Sequence, residues 1–173
     1  MNYQLNLKEI ANYFRNSIQD ATSITGISYD SRDIKNGDIF VCLTGEKTDG
    51  HNFIKEAEAK GANAILAQKK IETSLPVIYV PDTQIAIGKL ANYFYKEPSK
   101  KLRIIGATGT NGKTTTTHLI QHIFEKNNFK TAVIGTLGTK EFTGSNYYDS
   151  KHTTPQASDL QKQLANQIGR AHV

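Results

Sequence analysis

A lysine and a threonine directly follow a glycine-rich stretch in the middle of the chain, in the sequence GATGTNGKTT at residues 106–115. Backbone N–H groups, a lysine ammonium and a threonine hydroxyl suit the phosphates of a nucleotide and the Mg²⁺ that accompanies them. The strict pattern G-x-x-x-x-G-K-[ST] is broken at one position, where Ala107 replaces the first glycine. The stretch therefore predicts a phosphate-binding loop, and the alternative is a glycine-rich turn with an exposed lysine.

The predicted roles fall on consecutive residues of this stretch. A cation at a helix start is unfavourable unless an anion lies opposite it, so Lys113 is expected to face a phosphate. Lys113 is also the predicted catalytic residue, because its ammonium would neutralise charge that develops on the phosphates. Thr114 is the predicted Mg²⁺ ligand. The nucleotide-binding candidates are Gly109, Thr110, Asn111, Gly112, Lys113, Thr114 and Thr115.

The segments on both sides of the loop are the elements that would position it. The run LRII at 102–105 predicts a buried strand, and KTAVIGT at 130–136 predicts the next one. Between them a helix begins at Lys113, with one apolar face made by Leu119, Ile120, Ile123 and Phe124. Together these elements predict a right-handed strand–helix–strand unit. The four threonines at 114–117 are poor helix formers, which favours a functional role for this first turn.

A second motif, HTTP at 152–155, precedes a helix predicted over 156–166. A threonine can cap a helix and a proline suits its first turn, so the bare pattern is also explained as the start of a helix.

The first half of the chain alternates strand and helix patterns. Strands are predicted at 24–29, 39–43, 63–67 and 77–80, and a helix is predicted over 52–60. Asn6 and Glu9 predict a capping box at an earlier helix. Asp82 predicts the cap of a later one, whose inner side carries Ile85, Ile87, Leu90, Ala91 and Phe94. The alternation predicts an α/β domain, and the charged segment KEPSKK at 96–101 predicts its boundary.

Composition narrows the class of protein. The 173 residues allow one domain, or one and part of another, and no apolar run approaches the 18 residues of a membrane span. The start lacks a signal-peptide pattern. Cys42 is the single cysteine, which excludes a disulfide framework and predicts a core residue in a reducing, cytoplasmic setting. The net charge of +5 is spread out, so anionic small molecules are favoured over nucleic acid or membrane as partners.

The loop GATGTNGKTTTT resembles the ATP-binding loop of the Mur ligases, ATP-dependent amino-acid ligases of peptidoglycan synthesis that commonly lack the glycine replaced by Ala107. YDSR at 29–32, GDIFVCLTG at 37–45 and DGHNFI at 49–54 resemble the N-terminal domain of the later members, which holds the uridine end of a sugar nucleotide. HTTP resembles the loop with which the diamino-acid-adding branch binds the peptidyl end of UDP-MurNAc-L-Ala-D-Glu.

The resemblance implies an architecture in two parts. Residues 1–97 are expected to form a small UDP-sugar-binding α/β domain with a mixed sheet. Residues 98–167 are expected to be the truncated start of a P-loop ATPase domain with a mainly parallel sheet, and residues 168–173 a non-native tail. The UDP contacts implied are Ser31, Glu46, Lys47 and Thr48, and the peptidyl contacts are His152, Thr153 and Thr154. Two roles remain open for Arg32: a contact with a phosphate or a structural salt bridge.

The implied function is ATP-dependent ligation of a diamino acid, meso-diaminopimelate or L-lysine, to UDP-MurNAc-L-Ala-D-Glu, with ATP and Mg²⁺ as cofactors. A monomer that is inactive without further residues is expected. The alternatives are a MurF-type ligase and a non-catalytic fragment that binds a UDP-sugar or nucleotide.

Overall fold

The computed structural model of the protein describes residues 3–45, 48–141, 147–148 and 155–168. The backbone divides into two compact units, Met1–Phe94 and Tyr95–Val173. Both units combine helices with sheets, so the α/β prediction is confirmed. Within the described residues, no helix is long and apolar enough to cross a membrane.

The first unit follows the predicted alternation. Its elements are β1 (Leu5–Asn6), α1 (Leu7–Tyr13), β2 (Ser23–Ile24), β3 (Gly26–Ser28), β4 (Asp38–Val41), α2 (Ile54–Ala59), β5 (Ala64–Ala67), β6 (Val77–Tyr79) and α3 (Thr83–Phe94). Short 3₁₀ turns occur at Ser31–Asp33 and Gly50–Phe53. Both predicted caps are confirmed: Asn6 and Glu9 form a capping box at α1, and Asp82 Oδ1 accepts the Ile85 N–H at 3.0 Å.

The central sheet of the first unit has the strand order β3-β4-β5-β6 and is parallel throughout. A single sheet with both parallel and antiparallel strands was predicted for this unit. Instead, the only antiparallel pair among its described strands, β1–β2, forms a separate two-stranded sheet. β4 and β5 are buried along their whole length, as expected for parallel strands covered on both faces. Parallel strands end at one common edge, so the segments that follow β3, β4, β5 and β6 all start there.

The core of this unit packs around the sheet. One cluster of buried side chains joins Phe40, Cys42, Ile54, Ala57, Ala62, Ile65 and Ala67. Burial raises the pKa of Cys42 to about 12, which keeps the thiol protonated and confirms it as a core residue. The inner face of α3 is confirmed except at Ile85, which is 60% exposed. Ile85 lies two residues before Ile87, which places it about 200° around the helix axis from the buried stripe.

The second unit contains α4 (Lys113–Lys126), β7 (Ala132–Gly135), β8 (Gly138–Glu141), β9 (Tyr147–Tyr148) and α5 (Ala157–Gln167), after a 3₁₀ turn at Pro98–Lys101. The helices predicted from Lys113 and over 156–166 are confirmed, and the strand predicted at 130–136 is present as β7. The strands form one antiparallel sheet, β7-β8-β9, in place of the mainly parallel sheet that was predicted.

The predicted strand at 102–105 was wrong in the part of the chain that the structure describes. Ile104 and Ile105 are 52% and 53% exposed, and β7 pairs with β8 in a hairpin rather than with this segment. A strand requires a hydrogen-bonded neighbour, so the predicted strand–helix–strand unit does not form. The apolar face of α4 is exposed in part: Leu119 and Ile123 are 61% and 60% exposed, whereas Ile120 and Phe124 are half-buried.

Candidate functional site

The glycine-rich loop has the backbone geometry of an anion site. Gly112 directly precedes α4 with φ +78°, and Gly109 has φ +144°, two conformations that favour glycine. No described side chain caps the start of α4, and its first turn carries no acidic residue. The first N–H groups of a helix lack intrahelical acceptors and face outward with the positive end of the helix dipole. This end of α4 can therefore bind an anion.

Lys113 folds back over the same loop. Its Nζ donates hydrogen bonds to the carbonyl of Gly109 and, at 3.4 Å, to that of Thr110. The predicted residues from Gly109 to Thr115 are thus brought together, all of them exposed, and Lys113 places a positive charge beside them.

The threonine run is held in the helix by a local bond. Thr117 Oγ1 donates to the Thr114 carbonyl at 2.9 Å, which satisfies a hydroxyl within the first turn. Thr114 is exposed. Among the described residues, no group of three or more His, Cys, Asp or Glu side chains could hold a metal ion. The Thr114 hydroxyl can supply one oxygen ligand to a Mg²⁺ ion that accompanies a bound phosphate.

Ser31, predicted as a UDP contact, lies at the carboxyl edge of the first unit's sheet and is 6% exposed. Its hydroxyl donates to Glu56 Oε2 at 2.8 Å, and Lys60 Nζ lies 2.9 Å from Glu56 Oε1. Lys60 and Ser31 together lower the pKa of Glu56, so the carboxyl is ionised at neutral pH. An ionised carboxylate only accepts, so the Ser31 proton is committed and its oxygen can only accept from a ligand.

Arg32 forms a local ion pair. Its Nε and Nη2 donate to Asp30 at 2.9 and 2.7 Å in a two-pronged contact, while 82% of its side chain stays exposed. Of the two predicted roles, the structure shows the salt bridge.

The turn after β4 carries the other predicted UDP contacts. Thr44 and Asp49 pair as an isolated antiparallel bridge, and Gly45 N donates to the Thr48 carbonyl at 2.9 Å. Thr48 itself is exposed. A Cβ at Gly50 would lie 2.8 Å from Leu43 N, so close packing of this turn requires glycine. Glu46, Lys47, His152, Thr153 and Thr154 lie outside the described residues.

A polar cluster that was not predicted from the sequence lies beside this turn. Asp49 Oδ1 lies 2.5 Å from His51 Nδ1, and Asp49 Oδ2 lies 2.5 Å from Lys69 Nζ. Lys69 and His51 hold the pKa of Asp49 well below its usual range. The DGH sequence at 49–51 was visible as a family motif, but Lys69 reaches it only because β4 and β5 pair.

Comparison with known proteins identifies the class. Residues 23–95 match the Mur ligase family catalytic domain, and residues 107–172 match the Mur ligase middle domain. The chain belongs to the Mur ligase family.

Individual relatives show which members of the family the chain resembles. The chain is 40% identical, over 94% of its length and 32% of the relative's, to UDP-N-acetylmuramoyl-L-alanyl-D-glutamate–2,6-diaminopimelate ligase of Bacillus licheniformis. A solved structure of a ligase with that name superposes at a TM-score of 0.77, with 28% identity over 99% of this chain and 34% of the other. MurF ligase of Thermotoga maritima in complex with ADP gives a TM-score of 0.50, with 34% identity over 61% of this chain and 24% of the other. The chain thus spans about a third of the length of the relatives it matches.

Proposed function

We propose that this chain provides the UDP-substrate-binding and ATP-phosphate-binding parts of a MurE-type ligase, which adds a diamino acid to UDP-MurNAc-L-Ala-D-Glu. The observation that carries the proposal is the 40% identity, along 94% of the chain, to a ligase named for that dipeptide substrate and for diaminopimelate. The same name favours meso-diaminopimelate over L-lysine as the amino acid. The assigned domains, residues 1–97 and 98–167, and the non-native tail at 168–173 remain part of this proposal.

The glycine-rich loop would hold ATP. Its uncapped helix start and its two left-handed glycines fit the β- and γ-phosphates, and Lys113 would leave the Gly109 carbonyl to pair with them. Thr114 would supply one oxygen to Mg²⁺. ATP supplies the phosphoryl group that activates the D-Glu γ-carboxylate of the substrate. Lys113 would neutralise the charge that develops during this transfer, which is positioning and electrostatic catalysis.

The carboxyl edge of the first unit's sheet would hold the uridine end. Ser31 offers an acceptor there, and the turn of Thr48, with Glu46 and Lys47, offers further polar groups. The peptidyl end would be bound by His152, Thr153 and Thr154. A cytoplasmic monomer without nucleic-acid or membrane partners completes the proposal.

Binding and turnover separate this proposal from its alternatives. Calorimetry of the 173-residue chain should show UDP-MurNAc-L-Ala-D-Glu and Mg²⁺-ATP binding at separate sites. Because the relatives are about three times longer, we expect no ADP release from the chain with substrate and meso-diaminopimelate. Binding of neither nucleotide would reject the proposal, and substrate-dependent turnover on the order of 10 per second would reject the expected inactivity.

A MurF-type ligase remains the second candidate, because MurF structures superpose on the chain at TM-scores of 0.50 to 0.58. It would be favoured by a preference for UDP-MurNAc-tripeptide over the dipeptide.

A further inference from the structure

The chain contains two Asn-Gly pairs, Asn36-Gly37 in the first unit and Asn111-Gly112 in the second. Such a pair is chemically reactive, because an asparagine side chain can reach the backbone nitrogen of the residue that follows it. Glycine leaves that nitrogen unhindered, since it carries no Cβ. Whether either pair reacts in the folded protein therefore depends on how the surrounding structure holds it.

The first pair is held on both sides by its neighbours. The Gly37 N–H donates to the Gly61 carbonyl at 2.9 Å, and the Gly37 carbonyl accepts the Thr25 N–H at 2.9 Å. Thr25 Oγ1 also donates to the Asn36 carbonyl at 3.3 Å. Gly37 is buried as well. Its nitrogen is thus both hydrogen-bonded and packed, and it can react only after this turn opens.

The second pair has none of these restraints. Within the described residues Asn111 makes no hydrogen bond, and Gly112 makes one, in which its carbonyl accepts the Thr116 N–H at 2.9 Å. Both residues of the pair are exposed, and a Cβ built on Gly112 would meet no described atom within 4 Å beyond its chain neighbours. The Gly112 nitrogen also lies at the start of α4, where the positive end of the helix dipole favours the amide anion that attacks a carbonyl.

We propose that Asn111 is a site of spontaneous deamidation. The Gly112 nitrogen gives its proton to solvent and forms a bond to Asn111 Cγ. The Cγ–Nδ2 bond then breaks, and the departing nitrogen takes a proton from solvent and leaves as ammonia. Water opens the resulting succinimide ring, at Cγ to give aspartate or at the main-chain carbonyl carbon to give isoaspartate. Either product places a carboxylate where a neutral amide stood.

The new carboxylate has a consequence for the phosphate loop, and this consequence alone rests on the proposed function. It lies directly before Gly112, beside the helix start that is proposed to bind the phosphates of ATP. There it provides the helix start with an anion of its own and repels the phosphates. Deamidation should therefore weaken Mg²⁺-ATP binding. A bound phosphate that accepts the Gly112 N–H should in turn slow the reaction.

Peptide mapping by mass spectrometry of the 173-residue chain during storage tests the reaction itself. In the folded chain Asn111 should convert at least about tenfold faster than Asn36, the factor to which one net hydrogen bond corresponds. In urea, where neither pair is held, the two asparagines should convert at similar rates, which is the matched control. Equal rates in the folded chain, or no conversion of Asn111, would overturn the proposal.

Calorimetry with Mg²⁺-ATP tests the consequence. Stored wild type that mapping shows to be converted, and fresh Asn111→Asp, should both bind about tenfold more weakly than fresh wild type. Asn111→Gln keeps a neutral amide and should lose less affinity than Asn111→Asp. Unchanged affinity in the converted protein would overturn the effect of the charge. Absence of ATP binding by fresh wild type would reject the proposed nucleotide site, while the mass measurement would still decide the deamidation.

Discussion

The side chain of Asn16 pairs with the backbone of Tyr79 as a neighbouring strand would. Asn16 Nδ2 donates to the Tyr79 carbonyl at 3.0 Å, and the Tyr79 N–H donates to Asn16 Oδ1 at 3.0 Å. Tyr79 lies in β6, the last strand in the order of the described sheet. One amide thus satisfies the polar groups that an edge strand leaves open.

Asn16→Ala should therefore lower the free energy of unfolding by about 1 kcal/mol, because it removes both hydrogen bonds to the backbone of Tyr79 at an exposed strand edge, where water can replace part of them. Urea unfolding followed by far-UV circular dichroism measures this change. Asn12→Ala, on the exposed side of α1, is the matched control and should cost little, since alanine favours helix. Equal midpoints for wild type and Asn16→Ala would mean that water replaces the amide at no cost.

Local signals explain most of what could be predicted in this fold. The capping contacts of Asn6 and Asp82 are made with residues three positions further along the chain, so a short stretch of sequence contains both partners of each contact. Hydrophobic runs located the buried strands, because β4 and β5 are covered on both faces.

Predictions that depended on distant partners failed or were not made. The run at 102–105 has strand composition, but composition does not provide a neighbouring strand. Asn16 and Tyr79 are 63 residues apart, and Asp49 and Lys69 are 20 apart, so neither contact has a signal in the spacing of residue types. In the candidate site, the loop at 109–115 was predictable because its glycines, lysine and threonine are contiguous, whereas Glu56, the partner of Ser31, was not.

Stability should fall in acid partly through Asp49. Its folded pKa lies below the unfolded value of about 3.9, so its contribution to stability is complete above the unfolded pKa and is lost progressively as the pH falls from there through the folded pKa. We expect the urea midpoint to decrease from about pH 5 downward, and less steeply in Asp49→Asn. Glu72→Gln, at an exposed position, is the control and should follow the wild-type curve. Parallel curves for wild type and Asp49→Asn would remove Asp49 as a source of the acid sensitivity.

The backbone of the phosphate loop can be tested with a pair of glycines. Gly112→Ala places a Cβ in a left-handed conformation, at a cost of about 1–2 kcal/mol, although no described atom lies within 4 Å of that Cβ. Mg²⁺-ATP affinity should therefore fall about tenfold, as measured by calorimetry. Gly106→Ala meets equally open space without the positive φ, and it should bind as the wild type does. Equal losses in both variants would show that crowding, rather than backbone conformation, controls the loop.

Ser31 should recognise a hydrogen-bond donor of the ligand, because its own proton is committed to Glu56. Uridine diphosphate offers donors at the uracil N3–H and the ribose hydroxyls, whereas its diphosphate only accepts. At least one of N3-methyl-UDP, 2′-deoxy-UDP and 3′-deoxy-UDP should bind the wild type about tenfold more weakly than UDP and bind Ser31→Ala as UDP does. Ser31→Ala that loses affinity equally for UDP and all three analogues would contradict the assignment.

Lys113→Ala should separate the two proposed nucleotide sites. Lys113 belongs to the second unit and Ser31 to the first, so removal of the ammonium should weaken Mg²⁺-ATP binding and spare UDP-MurNAc-L-Ala-D-Glu binding. A charge-assisted contact contributes about 1.5–3 kcal/mol, which corresponds to a loss of roughly tenfold or more in ATP affinity. The control is Lys126→Ala, which removes the same charge at the opposite end of α4.

In a full-length relative, substitution of the lysine that corresponds to Lys113 by alanine should lower the rate of ligation by several orders of magnitude, because the contact strengthens as the phosphoryl group transfers. Weaker binding of the UDP substrate with unchanged ATP binding would contradict the assignment of this loop to ATP.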